Sequence, residues 1–203
     1  MDAPVPPNPT EATLRSAIER CRACDLWEGA TQAVLGEGPK GARVMLVGEQ
    51  PGDREDLAGH PFVGPAGRVL DQGMAQAGLA REDVFLTNVV KHFRYKARGK
   101  RRIHQRPDRS QVSACLPWFE AELEIVSPEI LVCLGAVAAQ ALLGPSVRVG
   151  RDRGRTFESD LAERVTLTAH PSSILRASGP EDRATAMAAF VSDLRTVADW
   201  LSQ

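Results

Sequence analysis

The sequence has little net charge and no long hydrophobic run. Its 203 residues carry a formal charge of −1, so no excess of either sign would draw the whole molecule to nucleic acid or to a membrane surface. No stretch has the length of a transmembrane segment, and the N-terminus shows no hydrophobic core of a secretion signal. Only four cysteines are present. We therefore expect a cytoplasmic protein with no membrane partner, whose cysteines are reduced or bind a metal.

Proline and apolar residues are distributed as in one domain with a short N-terminal lead. Residues 1–9 contain four prolines, and we expect them to be disordered. Short apolar segments then alternate with helical patterns, which predicts a single α/β domain over residues 10–203. We predict a three-layer αβα sandwich around a central, mostly parallel four-stranded sheet. The predicted strands are 43–47, 84–90, 130–134 and 165–168, and the clearest helices are 65–77 and 181–201.

An acidic, glycine-containing turn follows the first predicted strand. The apolar segment Val44–Val47 ends at Gly48, and Glu49 and Asp53 lie in the turn after it. Ligands of parallel sheets bind beyond the carboxyl ends of the strands. The turn therefore indicates an active site, although an ordinary polar turn could have the same composition.

One segment departs from the overall charge balance. Between Lys91 and Arg109 there are nine lysines or arginines and a single acid, Asp108. A local basic excess of this kind is typical of a surface that binds phosphates. The alternative is a solvated surface loop.

The cysteines suggest a metal site without defining it. Cys21 and Cys24 form a C-x-x-C pair, and Cys115 could fold back towards them, whereas Cys133 lies in an apolar strand and is expected to be a buried core residue. His92, just after the second predicted strand, is the candidate fourth ligand. Spacing alone leaves zinc and an iron–sulfur cluster equally open.

Four segments, taken together and in order, resemble the motifs of family 4 uracil-DNA glycosylases. The spacing of Cys21, Cys24 and Cys115 also resembles the iron–sulfur cysteines of that family. The resemblance implies an enzyme that excises uracil from DNA. The matching segments are Gly-Glu-Gln-Pro-Gly-Asp at 48–53, Gly-His-Pro-Phe-Val-Gly at 59–64, Thr-Asn-Val-Val-Lys at 87–91 and His-Pro-Ser-Ser at 170–173.

Two departures from that pattern look like the UdgX branch of the superfamily. His92 stands where family 4 has a cysteine, and a basic insertion at 98–105 follows; Gln50 in the first motif also fits the branch. Members of the branch stay covalently attached to the DNA through the histidine of the insertion, here His104. The resemblance thus implies a single-turnover enzyme. The alternative is a conventional family 4 enzyme that turns over and releases uracil and an abasic site.

The resemblance also implies a cofactor and partners. It implies a [4Fe-4S] cluster, and the partners are uracil-containing DNA, with single strands preferred, and uracil itself. We expect a monomer. Rival interpretations are a non-catalytic iron–sulfur nucleic-acid-binding module and a zinc-containing DNA-binding protein. The implied cluster ligands are Cys21, Cys24, His92 and Cys115.

Each candidate side chain suits one step of uracil excision. Asn88 can pair with the edge of uracil and Phe62 can supply an aromatic face. His170 can donate to the departing base, and Glu49 or Asp53 can stabilise the sugar cation. The remaining candidates are His104 as nucleophile, Gln50 and Gly52 in the substrate pocket, and Lys100, Arg101, Arg102, Ser172 and Arg176 as DNA contacts.

Overall fold

The computed structural model describes residues 3–203, so the first two residues of the predicted N-terminal lead lie outside the described part. Residues 3–9 contain no helix or strand, and Ala3 and Val5 pack against the hydrophobic core as partly buried side chains. The disorder of the lead and the single-domain boundary at residue 10 stay predictions.

The central sheet has five strands in the order β2-β1-β5-β7-β6. The first four are parallel to their neighbours, and β6 is a short antiparallel edge strand beside β7. The predicted mostly parallel sheet is confirmed; the structure adds β6, whose two residues are too few to produce an alternating pattern. The strands are β1 (Val44–Gly48), β2 (Val84–Asn88), β5 (Ile130–Leu134), β6 (Thr156–Phe157) and β7 (Arg164–Thr168), and β3 (Tyr95–Arg98) and β4 (Arg101–His104) form a separate hairpin.

Helices cover both faces of the sheet, as an αβα sandwich requires. The α-helices are α1 (Glu11–Ile18), α2 (Leu26–Gly29), α3 (Asp53–Ala58), α4 (Pro65–Ala77), α5 (Arg109–Val126), α6 (Ala136–Leu143), α7 (Val149–Asp152), α8 (Pro171–Leu175) and α9 (Pro180–Leu201), with a 3-10 turn at Arg81–Asp83. In the residues described, no helix is both long and apolar enough to span a bilayer.

Alternate side chains of β1 belong to two different hydrophobic cores. Met45 and Val47 pack in a cluster with residues of α1, α5 and α6. Val44 and Leu46 pack on the other side, with residues of α4 and α9. Because successive side chains of a strand point to opposite faces, this division defines the three layers directly.

Helix boundaries follow from local stop and start signals where these are strong. α4 begins at Pro65, which needs no backbone N–H donor there, and ends before Gly78, whose φ of 83° is left-handed. α1 ends at Ile18, three residues before Cys21, and Cys115 lies in the second turn of α5.

The basic segment forms an ordered β-hairpin and not an irregular loop. β3 and β4 pair antiparallel with Tyr95 opposite His104 and Arg98 opposite Arg101. Gly99 in the two-residue turn has a φ of 58°, a conformation that glycine adopts without strain. The hairpin places His104 at the end of β4, beside the body of the protein.

Candidate active site at the carboxyl edge of the sheet

A cavity of about 910 Å³ opens beyond the carboxyl ends of the parallel strands. It is bounded by the turns after β1, β2, β5 and β7, by the Phe62 segment and by the hairpin. Every residue predicted for catalysis or substrate binding lines it. Of the sequence-predicted residues, the lining includes Glu49, Gln50, Gly52, Asp53, Phe62, Asn88, His104, His170, Ser172 and Arg176.

A glycine at the end of β1 allows the two base-recognition candidates to approach each other. A Cβ atom on Gly48 would collide with Oδ1 of Asn88 and with the ring of Phe62. Phe62 has a left-handed φ of 54°, and its backbone lies against Gly67, where a Cβ would also collide with it. The Phe62 ring centroid is 6.4 Å from that of His170. The aromatic ring is thus held over the cavity in a conformation that nonglycine residues rarely adopt.

Glu49 is the acid with an unsatisfied atom in this cavity. Its Oε1 is buried and has no hydrogen-bond partner in the structure. Burial raises the pKa of Glu49 to about 6, against the opposing effect of the positive charges of Arg106 and Arg176. Nε2 of His104 lies 3.6 Å from the same oxygen. The carboxyl group therefore faces the candidate nucleophile with hydrogen-bonding capacity to spare.

His104 itself is held as a neutral base. Its side chain is half exposed to the cavity. Desolvation by the surrounding protein and the nearby charge of Arg176 lower its pKa. The ring packs against Phe93, with centroids 6.0 Å apart. At neutral pH, one ring nitrogen therefore carries a free lone pair.

Asp53, the other candidate acid, is engaged by the hairpin. Nε of Arg102 lies 2.6 Å from Oδ1 of Asp53, and Nη1 of Arg102 lies 2.5 Å from Oδ2 of the fully buried Asp56. The sequence left the roles of Glu49 and Asp53 unresolved. Their surroundings differ: Asp53 has an arginine partner, whereas no arginine of residues 3–203 forms an ion pair with Glu49.

Arg102 therefore occupies a different place from the one expected for a DNA contact. Its side chain is only 19% exposed and is bound to two carboxylates, so its guanidinium fastens the hairpin to α3. Lys100 and Arg101, at the hairpin turn, are exposed. The sequence could not show this difference, because all three residues stand in one uniformly basic run.

The hydrogen bonds of His170 determine which of its two ring nitrogens carries the proton. His170 caps the N-terminus of α8, and its Nδ1 accepts from the backbone N–H of Ser172 at 3.1 Å. Burial and the charges of His104 and Arg176 lower the pKa of His170 to about 4. The ring is therefore neutral with its proton on Nε2.

Gln50 lines the cavity, but its amide is bonded to the ends of the hairpin. Its Nε2 donates to the carbonyl oxygens of Arg94, at 3.2 Å, and Gln105, at 3.0 Å. Its Oε1 accepts from the backbone N–H of Arg94 at 3.0 Å. The side chain predicted to bind substrate thus joins the two chains of the hairpin where they leave the body.

A carboxylate that was not predicted from the sequence, that of Glu55, organises two of the cavity's turns. Glu55 accepts hydrogen bonds from the backbone N–H groups of Gly52, at 3.1 Å, and Gly64, at 2.7 Å. A glutamate at the third position of α3 is a capping-box signal that could have identified it. Gly52 therefore contributes a turn that Glu55 holds in place.

The remaining DNA-binding candidates lie at the rim. Ser172 Oγ accepts from Nη1 of Arg176 at 3.0 Å, so both side chains are held beside His170. Lys96 and Arg98, which we had not singled out, are exposed on the hairpin. Phosphates near the cavity would meet positive charge on two sides.

The four candidate metal ligands come from three places in the chain. Cys21 and Cys24 follow α1, His92 follows β2, and Cys115 lies on α5. Nε1 of Trp118 donates to Sγ of Cys21 at 3.3 Å, and the backbone N–H of Lys91 donates to Sγ of Cys115 at 3.2 Å. N–H groups aimed at sulfur are typical of iron–sulfur ligands.

Burial changes the pKa of two of these candidate ligands, Cys115 and His92. The pKa of Cys115 is raised to about 12, chiefly by burial; Lys91 opposes the rise, and the nearby thiols of Cys24 and Cys21 add to it. Burial lowers the pKa of His92 to about 4, so its imidazole is neutral. Over residues 3–203, no three such side chains are close enough together to bind a single metal ion. Cys133 is fully buried in β5 among core residues, as the sequence predicted.

Comparison with known proteins gives one consistent result. Residues 35–195 match the model of the uracil DNA glycosylase superfamily. A type-4 uracil-DNA glycosylase of Pyrobaculum aerophilum is 36% identical over 170 residues, which is 80% of this chain and 83% of that protein. Type-4 uracil-DNA glycosylases of Thermotoga maritima and Archaeoglobus fulgidus are each 36% identical, over 78% of this chain and 80% and 79% of their own lengths.

These relatives do not distinguish the branches of the superfamily, but they cover most of the chain. The matched region contains the cavity, the hairpin and the residues predicted to act there. The chain belongs to the uracil DNA glycosylase superfamily.

Proposed function

We propose that this protein excises uracil from DNA and then becomes covalently joined to the deoxyribose through His104. Family membership supports excision. One observation carries the covalent step: His104 lines the cavity with its Nε2 3.6 Å from a buried glutamate oxygen that has no hydrogen-bond partner among residues 3–203. The hairpin that presents His104 is itself anchored to the body by Gln50 and Arg102.

Uracil recognition is assigned to Asn88 and Phe62. A carboxamide can accept from uracil N3–H and donate to O4, whereas cytosine presents the reverse pattern. Gly48 gives both side chains the space to converge at the end of β1. The base must be extruded from a duplex or already be single-stranded to reach them.

Cleavage of the glycosidic bond leaves its electron pair on uracil and positive charge on the sugar. His170 is neutral and has its Nε2–H free, so it can donate to the developing negative charge at uracil O2. Glu49, ionised above about pH 6, can stabilise the sugar cation from within the cavity.

In the covalent step, a bond from His104 to the sugar replaces the glycosidic bond that has broken. A lone pair of His104 bonds to the anomeric carbon that uracil has left, which gives an alkylated, positively charged imidazole. Oε1 of Glu49 lies 3.6 Å from Nε2, so its carboxylate can stabilise the positive charge that the alkylated ring then carries. In a conventional glycosylase water would attack instead, and the enzyme would be released.

DNA binding is assigned to the rim of the cavity. Arg176 and Ser172 lie on one side, and the exposed Lys100 and Arg101 of the hairpin on the other. Such contacts bind phosphates and make affinity salt-dependent. The preference for single strands, the monomeric state and the cytoplasmic location stay predictions.

A [4Fe-4S] cluster on Cys21, Cys24, His92 and Cys115 fits the chemistry of these donors. Two of the sulfurs already receive N–H hydrogen bonds, and the histidine is neutral and can offer a lone pair. When bound, the cluster supplies a cross-link between the N-terminal helix, the exit of β2 and α5. The residues proposed for the uracil chemistry line the cavity, and none of the four candidate ligands does.

A denaturing gel tests the covalent step. We expect a shifted band after incubation with a uracil-containing single-stranded oligonucleotide, and none with the thymine-containing strand. His104→Ser should abolish the band. Ile103→Ala, which shortens an exposed side chain at the preceding position of the same strand, is the control and should retain it. An adduct that forms as well with His104→Ser would exclude His104 as the nucleophile.

The names of the type-4 relatives favour the alternative, a conventional enzyme that turns over. Release of free uracil in amounts well above the enzyme concentration, without a shifted band, would establish it. A release that stops at one uracil per protein supports the single-turnover proposal.

A further inference from the structure

A lysine with no exposed surface lies three residues after the end of β2, the strand that carries Asn88. The side chain of Lys91 is 0% exposed, and its Nζ lies 2.6 Å from Oε2 of Glu122, which is 4% exposed. The same Nζ donates to Oγ1 of Thr87 at 2.8 Å and to the backbone carbonyl oxygen of Asn88 at 2.6 Å. All three donors of the ammonium group are therefore used.

Both carboxylate oxygens of Glu122 also accept hydrogen bonds from other groups. Oε2 of Glu122 also accepts from Oγ1 of Thr87 at 2.6 Å, and Oε1 accepts from the backbone N–H of Gly36 at 2.6 Å. A buried ion pair seldom makes a protein more stable than apolar side chains of the same size would. The pair therefore calls for an explanation other than stability.

Lys91 is joined to α5 at two points on one face of that helix. Its side chain binds Glu122, and its backbone N–H donates to Sγ of Cys115. Cys115 and Glu122 are seven residues apart, which is about two helical turns, so they lie on the same side of α5. The end of β2 is thus held against the helix by its side chain and by its backbone.

We infer that Lys91 and Glu122 are positioning residues that orient Asn88 for uracil. The hydrogen bond from Nζ to the Asn88 carbonyl holds the peptide that carries the base-reading amide. The side chain of Asn88 has little freedom on its other side, where it packs against Gly48. The inference rests on the proposed function, since it assumes that Asn88 reads the base.

A double-mutant cycle with Asn88→Ala tests this. The variant Lys91→Met with Glu122→Gln removes both charges and the donor to the Asn88 carbonyl, while the amide introduced at position 122 can still accept from the backbone N–H of Gly36. Misplacement of a recognition group should lower the single-turnover rate of uracil release on the order of ten- to a hundredfold. In the Asn88→Ala background the same change should cost much less, because the group it positions is already gone. Equal losses in both backgrounds would overturn the inference.

Two further measurements separate positioning from general damage. Affinity for DNA with a stable abasic-site analogue should be unchanged by the paired substitution, because no base has to be read. Loss of that affinity would mean that the whole site is deformed and would also overturn the inference. Arg43→Met, which breaks an ion pair with Glu129 at the opposite end of the sheet, is the control and should show no dependence on Asn88.

Glu122→Gln alone provides a second variant should the paired one melt below the assay temperature. Its effect must again depend on Asn88, and an equal effect in both backgrounds counts against positioning. Failure of the proposed function is recognised by a different result. If the unmodified protein releases no uracil, the proposed function is wrong, and the positioning inference that rests on it falls with it. If uracil is released without an adduct, the cycle remains valid.

Discussion

Oε1 of Glu49 lies 3.6 Å from Nε2 of His104, and it has no hydrogen-bond partner among the residues that the structure describes. A buried carboxylate in this state is unfavourable for folding, as its raised pKa shows. The arrangement makes sense as a site kept ready for charge that appears only during reaction. It also gives the first two predictions.

The rate of adduct formation should fall as pH drops through about 6. Burial raises the pKa of Glu49 to about 6, so below that pH the carboxylate is lost. The pKa of His104 is lowered, so its lone pair persists to a more acidic pH than that of a free histidine. Single-turnover rates measured from pH 5 to 8 check this. A flat profile across that range would contradict a role for an ionised Glu49.

Glu49→Gln should make the protein more stable at pH 7 and less reactive. Because the pKa of the folded state lies above the ordinary value of 4.5, the folded protein holds the proton more tightly, and stability decreases as pH rises from about 4.5 to 6. The difference between the folded-state pKa of about 6 and the ordinary value of 4.5 corresponds to roughly 2 kcal/mol in the free energy of unfolding at pH 7. Thermal melting at pH 7 and pH 4 measures it, and the gain should vanish at pH 4. The adduct rate should fall by about two to three orders of magnitude.

Arg102→Met and Arg101→Met should have opposite signatures. Removing Arg102 leaves the fully buried Asp56 without its cation, which costs about 3–5 kcal/mol of stability. Arg101 is exposed and its loss should change stability by less than about 0.5 kcal/mol. If Arg101 contacts a phosphate, its loss lowers the slope of log affinity against log salt by about 0.7 on single strands. Urea unfolding and salt titrations distinguish the two.

His170→Ala should reduce the rate of uracil release by about two to three orders of magnitude, since one donor to the departing base is lost. Ser172→Ala keeps the backbone N–H that binds Nδ1, so it should keep the tautomer and most of the rate. Single-turnover release of uracil is the measurement. If His170→Ala reacts within about tenfold of the unmodified protein, the donor to uracil O2 must be another group.

Purified protein should contain iron and acid-labile sulfide, and removal of the metal should destabilise the fold before it affects chemistry. Cys24→Ser and Cys133→Ser form a matched pair, because Cys24 is a proposed ligand and Cys133 is a core residue of β5. Only Cys24→Ser should lower the iron content. Equal iron in the two variants would exclude Cys24 as a ligand.

The sequence by itself determined the elements with strong local signals. The helix between Pro65 and Gly78 was predicted at its observed bounds, because proline and a left-handed glycine define helix ends without help from the rest of the chain. The strands that end at Gly48 and Asn88 and the one that precedes His170 were recognisable from apolar runs of the right length. Since parallel strands align their carboxyl ends, Glu49, Asn88 and His170 were predictable as neighbours from those three positions, whereas Phe62 and His104 were assigned through the family resemblance.

Only the tertiary structure decided which charges and amides meet. Arg102 belongs to a uniformly basic run, yet it pairs with Asp53 and Asp56, which lie 49 and 46 residues away in sequence. Lys91 pairs with Glu122, which is 31 residues away in sequence. The side-chain amide of Gln50, which was predicted only to bind substrate, forms hydrogen bonds with the ends of the hairpin. Such partners depend on how strand crossovers bring distant segments together, and no local spacing encodes that. The physical reason is that backbone preferences act over a few residues, whereas burial and ion pairing act between whatever the fold makes adjacent.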